Sequence, residues 1–160
     1  MGNLTRTKAL GNWGEKKIPE LLKRAGFGSV RDFNSERANH PFADFYAERG
    51  DNYVIGAKTR NKRTAAGPLN SPYNVCKKGM DLSVIASMYS ANLACVAVQV
   101  DAEAQSFSAF FATMDQITEG GARYSIPMTP QATGHYECLA RDEYDPTIRP
   151  EWSNQTRRNR

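Results

Sequence analysis

The run Leu93 to Asp101 constrains this chain more than any other feature. Val96, Val98 and Val100 alternate with Cys95, Ala97 and Gln99, so both faces of an extended segment are mostly apolar. Residues i and i+2 share a strand face, and a strand that is apolar on both faces must be covered on both. The chain therefore needs a sheet with this strand at its centre and other elements packed against it. Ser106 to Thr113 follows a polar turn and reads as a further strand, with Phe107, Phe110 and Phe111 as core or subunit-contact residues.

Upstream, residues 7–25 alternate apolar and charged positions at helical spacing, with Leu10, Trp13, Leu21 and Leu22 on or near one stripe. Pro19 interrupts that stripe, and an interior proline removes an amide donor, so a kink or two helical pieces are expected there. Gly26 and Gly28 end the segment, since glycine tolerates the left-handed backbone at a helix end. Phe42 to Ala47 and Tyr53 to Thr59 flank the turn cluster Glu48 to Asn52 and predict a β-hairpin. Residues 60–79 read as loop. Asp81 to Ala91 reads as a helix, with Asp81 as its N-cap. The order helix, strand, strand, helix, strand, strand implies an α/β or α+β sheet of four to five strands flanked by helices. From Glu119 onward the pattern weakens. Residues 1–148 read as one domain, and 149–160 as a basic, disordered tail.

A chain of 160 residues with 40% apolar and 24% charged composition supports one core. No apolar run approaches the roughly 20 residues of a membrane span. Met1 to Leu10 lacks the apolar stretch of a signal peptide, so the cytoplasm is the expected compartment. Cys76, Cys95 and Cys138 are scattered, which disfavours a disulfide framework or a zinc-cysteine site, and two histidines do not make a His-rich metal site. Phosphate-binding Walker, GxSxG and dinucleotide fingerprints are absent. Charge is uneven: residues 1–78 carry fifteen Lys/Arg against seven Asp/Glu, and residues 79–148 carry two against nine. A basic half of this kind attracts phosphates. A plain solvated surface explains the same numbers, so the motifs must decide.

Strand parity locates the chemistry. Asp44 falls in the first short strand, on the face of Phe42 and Tyr46. In the second, Gly56, Lys58 and Arg60 share one face and Ile55 and Ala57 the other. An antiparallel pairing brings Asp44 beside Lys58. A simple salt bridge at a sheet end accounts for that pair equally well.

Asp44, a hairpin turn and Tyr53-Val54-Ile55-Gly56-Ala57-Lys58-Thr59-Arg60 resemble the core of the PD-(D/E)xK nucleases, the superfamily of many restriction enzymes and of archaeal Holliday-junction resolvases. Gly11-Asn12-Trp13-Gly14-Glu15, on a helix ending at Ala25-Gly26-Phe27, is similar to the first-helix glutamate pattern of the resolvase and Mrr-like branches. The resemblance covers about residues 7–113 and rests more on element order than on any one residue. It implies a restriction-endonuclease-like fold and a Mg²⁺ (or Mn²⁺) cofactor held by oxygen ligands. Carried over, Asp44 is the metal ligand, Lys58 the catalytic lysine and Glu15 an accessory acid and metal ligand. It also implies DNA as partner and a homodimer, because one small chain presents one site.

One departure stands out. The family has Asp or Glu two residues before the lysine, and this chain has Gly56. Glu15, Glu48 or Gln99 can supply the missing oxygen. Otherwise nothing replaces it, and the chain is a degenerate nuclease scaffold that acts as a nucleic-acid-binding or protein-interaction module. Arg60, Lys62 and Arg63, with Lys77 and Lys78 beyond the loop, form the densest basic region and are the expected phosphate contacts. Tyr53 and Tyr73 are read as packing residues before base-stacking ones, Trp13 as core, and His40 as an inert loop histidine. The resulting expectation is a Mg²⁺-dependent endonuclease, if active, that cleaves phosphodiester bonds in DNA.

Overall fold

A computed structural model describes residues 6–33, 44–64, 66–74, 87, 89–101, 104–119 and 125–143. Helix α1 (Arg6–Arg24) is followed by strands β1 (Gly28–Asp32), β2 (Phe45–Arg49), β3 (Asp51–Asn61), β4 (Tyr73–Asn74), β5 (Asn92–Asp101) and β6 (Ser106–Thr113). Helix α2 (Met114–Glu119), strand β7 (Ser125–Ile126), helix α3 (Pro130–Thr133) and strand β8 (Glu137–Glu143) complete the order. None of the helices is long and apolar enough to cross a membrane, among the described residues.

Of the two outcomes expected at Pro19, separate helical pieces do not occur: α1 is one helix from Arg6 to Arg24. Proline removes only the amide that would bond to the Glu15 carbonyl. The fully buried Ile18, Leu21 and Leu22 on either side hold the helix against the sheet. Its end follows the glycine argument. Gly26 adopts φ +97°, and the amides of Gly26 and Phe27 donate to the Lys23 and Leu22 carbonyls, each at 3.0 Å. This is a Schellman closure. Gly28 instead opens β1.

The main sheet has six strands, ordered β1-β2-β3-β5-β6-β8, where four to five were expected. The β3–β5 pair is parallel and every other pair in this sheet is antiparallel. The hairpin is tighter than its turn-rich sequence suggests: Arg49 pairs with Asp51, and Gly50 alone lies between them at φ +76°. β5 lies between β3 and β6, as its two apolar faces require. Of the expected Asp81–Ala91 helix, Ser87 and Tyr89 are helical; 81–86 and 88 lie outside the described residues, as does 144–160 with its basic tail.

Two apolar clusters sandwich the sheet. On one face, Leu10, Trp13, Leu21 and Leu22 of α1 pack on Phe45, Ile55, Val96, Val98, Phe107 and Phe111. On the other, Val54, Cys95, Ala97, Phe110 and Ala112 pack with Tyr73, Met114, Ile117, Ile126 and Met128. Trp13 meets Phe107 edge-on at 5.3 Å, and Tyr53 packs on Phe27 and Phe111, so these aromatics serve the core.

The sheet curls around the end of α1. Arg49 of β2 forms a bidentate pair with Glu137 of β8 and donates to the Ala25 carbonyl at 3.0 Å. Its guanidinium also lies 4.1 Å from the Phe27 ring centre. In a flat sheet β2 and β8 would stand about 19 Å apart, at four spacings of roughly 4.8 Å. Two side chains cannot bridge that gap, so the pairing requires strong curvature.

Candidate functional site

The site lies where β2 begins. Its first residue, Phe45, pairs with Ile55, whereas β3 continues to Asn61 with β5 as its partner. Among the described residues, the second half of β3 thus has β5 alone as a strand partner. Asp44 occupies this step, one residue before β2 rather than within a strand as expected. Its amide donates to the Ile55 carbonyl at 2.7 Å, and its carbonyl accepts from the Phe33 amide at 2.9 Å. Its carboxylate Oδ2 accepts from the Ala57 amide at 2.8 Å. A carboxylate thus takes the place of a ladder bond that β2 does not reach to make. This charge-assisted bond holds Asp44 against the residue that precedes Lys58.

Lys58 lies on the sheet face away from α1. The alternation is anchored on both sides: Ile55 and Ala57 pack toward α1, and Val54 toward the second cluster. Lys58 is half-buried, and its ammonium has no hydrogen-bond or ion-pair partner among the described residues. Gly56 is buried and falls on this same face, so no carboxylate lies two residues before the lysine.

Glu15 sits differently. Helix α1 packs on the opposite face, at a point fixed by Gly14: a Cβ there would come within 1.8 Å of Thr59 Oγ1. Glu15 is therefore one helix position from the contact with Thr59, itself the neighbour of Lys58 on the other side of the sheet. Among the described residues no group of three or more His, Cys, Asp or Glu comes together to hold a metal. Glu48 is engaged elsewhere, accepting from the Tyr46 hydroxyl at 2.6 Å toward the Gly50 turn. That hydrogen bond, with desolvation and the Glu48 charge, raises the Tyr46 pKa above its ordinary value.

Gln99 proves to share the face of Lys58. Register pairs Arg60 with Gln99, Gln99 with Ser108 and Ser108 with Arg141 across β3, β5, β6 and β8. Along β5 this face passes from the fully buried Cys95 and Ala97 to the half-buried Gln99, and along β6 from Phe110 to the half-buried Ser108. Tyr73 lies at the margin, its hydroxyl donating to the Arg60 carbonyl at 3.4 Å. Burial pushes the Tyr73 pKa far above its ordinary value, while a hydrogen bond from Gln99 and the Arg60 charge pull the other way. Tyr73 is thus buried and does not offer a ring to a base.

The other predicted cations are partly committed. Arg60 donates to the Thr59 carbonyl at 2.9 Å, Lys62 pairs with Asp101 at 3.4 Å, and Arg63 donates to the Gly67 carbonyl at 3.2 Å. Lys77, Lys78 and His40 lie outside the described residues. Arg141 carried no such signal in the sequence, because β8 (ECLARDE) has three consecutive apolar residues and no alternation. A polar cavity of about 450 Å³ opens near the Gly50 turn, lined by Asp51, Asn52, Ser90 and Asn92 among others. Among the described residues that line it there is no basic side chain to meet a phosphate.

No protein-family model matches the chain, and no curated protein sequence matches it. Among solved structures, it is similar to Archaeoglobus fulgidus Hjc, a Holliday junction resolvase from an archaeal hyperthermophile. The two share 16% identity over 78% of this chain and 91% of that one, with a TM-score of 0.50. The fold is restriction-endonuclease-like.

Proposed function

We propose that this chain is a metal-dependent nuclease of the PD-(D/E)xK superfamily, in its resolvase-like branch, that cleaves phosphodiester bonds in DNA. One observation carries the reading: the Asp44 carboxylate is tied to the Ala57 amide beside Lys58, at the step where β3 outruns β2. The fold likeness to a Holliday junction resolvase supports it.

Asp44 suits a hard cation, because Mg²⁺ keeps several waters and is commonly held by one or two carboxylates together with substrate phosphates. Glu15 is the second candidate donor. When bound, the cation supplies charge neutralisation at the phosphate and a more acidic water. Lys58 stabilises the charge that builds on the phosphoryl oxygens and orients the attacking water. Arg60, with Lys62, Arg63, Lys77 and Lys78, binds flanking phosphates. A homodimer would present two such sites to two strands.

The test is cleavage of plasmid, branched, duplex and single-stranded DNA with Mg²⁺, with Mn²⁺ and with chelator. Asp44→Asn retains an acceptor for the Ala57 amide and removes the charge. We expect it to lower the metal-dependent rate by about 100-fold or more with Tm little changed. Undiminished cleavage by that variant would discard the site. A clean gel for the wild type in every metal condition, with salt-sensitive retention of DNA, would leave a scaffold that binds and does not cut.

A further inference from the structure

We propose that Arg60 and Arg141, with Gln99 and Ser108 between them, form a track for the sugar–phosphate backbone that crosses the sheet from the candidate site to the edge strand β8. The proposal rests on the reading of this chain as a DNA-acting protein and extends it to a residue outside the basic loop.

Register makes these four residues consecutive neighbours on β3, β5, β6 and β8. That they share one face follows from alternation: Val54, Cys95, Ala97 and Phe110 of the same strands pack in the cluster away from α1, and the Arg141 guanidinium stands 5.4 Å from the ring centre of Phe110. Arg60 and Arg141 are separated by three strand spacings, about 14 Å, which takes in several phosphates of one strand.

The row is polar where its neighbour is not. One step back, Lys58 is followed by Ala97 and Phe110, both buried beneath the second cluster. At Gln99 and Ser108 the face emerges, and hydrogen-bonding groups replace hydrocarbon. Arg141 is exposed, and its stacking on Phe110 holds it over the sheet. Guanidinium forks suit phosphate oxygens, and polar side chains between them suit sugar and phosphate contacts. Asp101, two residues beyond Gln99, is paired with Lys62 at 3.4 Å, which limits its repulsion of an incoming phosphate.

Binding of labelled duplex and single-stranded DNA, measured by fluorescence anisotropy in chelator, tests the track apart from cleavage. Arg141→Gln should weaken binding about 5- to 10-fold and flatten the dependence of log K on log salt by about one ion between about 50 and about 200 mM. Arg141→Lys should keep most of both. Lys23→Gln removes an equal charge from α1 on the opposite face and should change affinity less than about twofold, because screening limits remote charges. Equal losses in Arg141→Gln and Lys23→Gln would overturn the track. If Arg141→Gln folds poorly, Ser108→Asp tests the same path by placing an anion in it, and unchanged affinity there would overturn the proposal too. DNA binding that depends on Arg141 without cleavage would refute the nuclease reading and keep the track. Cleavage with affinity indifferent to Arg141 would do the reverse, and a wild type that neither binds nor cleaves would end both.

Discussion

The two faces of β3 have been put to opposite uses. Under α1, Ile55, Ala57 and Thr59 meet a helix so close that Gly14 has no room for a methyl group. That face is closed to the point that Asn61 Oδ1 is buried without a hydrogen-bond partner among the described residues. On the reverse, Val54 and Gly56 are covered, but Lys58 and Arg60 are half-exposed and basic. One strand thus supplies stability on one side and a basic, half-open surface on the other. Alternation makes this division possible, since adjacent side chains never compete for the same space. Changes to the packing residues of the α1 face, Glu15 aside, should therefore cost folding and spare the chemistry of whatever folds, and changes on the reverse should do the opposite.

Three changes probe that division beyond the site variants already described. Leu21→Ala opens the fully buried α1 interface, and chemical denaturation should show a loss of about 2–5 kcal/mol. DNA affinity per folded molecule should be unaltered; a selective loss of affinity would mean that the faces are coupled. Gly14→Ala should follow, with a loss of about 1–3 kcal/mol from overpacking against stiff, buried Thr59. If instead the variant is as stable as the wild type, α1 is free to lift away and the close approach is not a constraint.

The smallest effect belongs to the reverse face. Tyr73→Phe should change stability at neutral pH by no more than about 1 kcal/mol, since its hydroxyl bond is long. At alkaline pH the balance moves in favour of the variant. Burial raises the Tyr73 pKa in the folded state above its ordinary 10.0. The contribution is therefore intact below pH 10, where both states hold the proton. Above that only the unfolded chain releases it, and stability falls by about 1.4 kcal/mol per pH unit. Denaturation midpoints followed from pH 9 to 11 should decline less steeply for the phenylalanine variant. Parallel declines would show that Tyr73 does not sense the buried side of the margin.

What was legible in the sequence was whatever one strand or helix needs for itself. The central strand, its antiparallel neighbour, the Asp44–Lys58 hairpin and the Gly26 helix end all declared themselves through periodicity or a required backbone conformation. β1 and β8 did not. Both are edge strands, and β1 keeps no fully buried residue, so neither carries the continuous apolar run that two-sided burial imposes. At Pro19 the local cost was visible in the sequence, and the packing of Ile18, Leu21 and Leu22 that keeps α1 a single helix was not.

The sequence by itself determined which residues share a face, because alternation depends only on chain geometry. It left open which face the first helix would cover, since parity treats the two sides as equivalent. That choice was made by the fit of Gly14 against Thr59 and by the curvature that lets Arg49 reach Glu137. Both are contacts between residues far apart in the chain, and they leave Lys58, Arg60, Gln99 and Arg141 on the side away from α1.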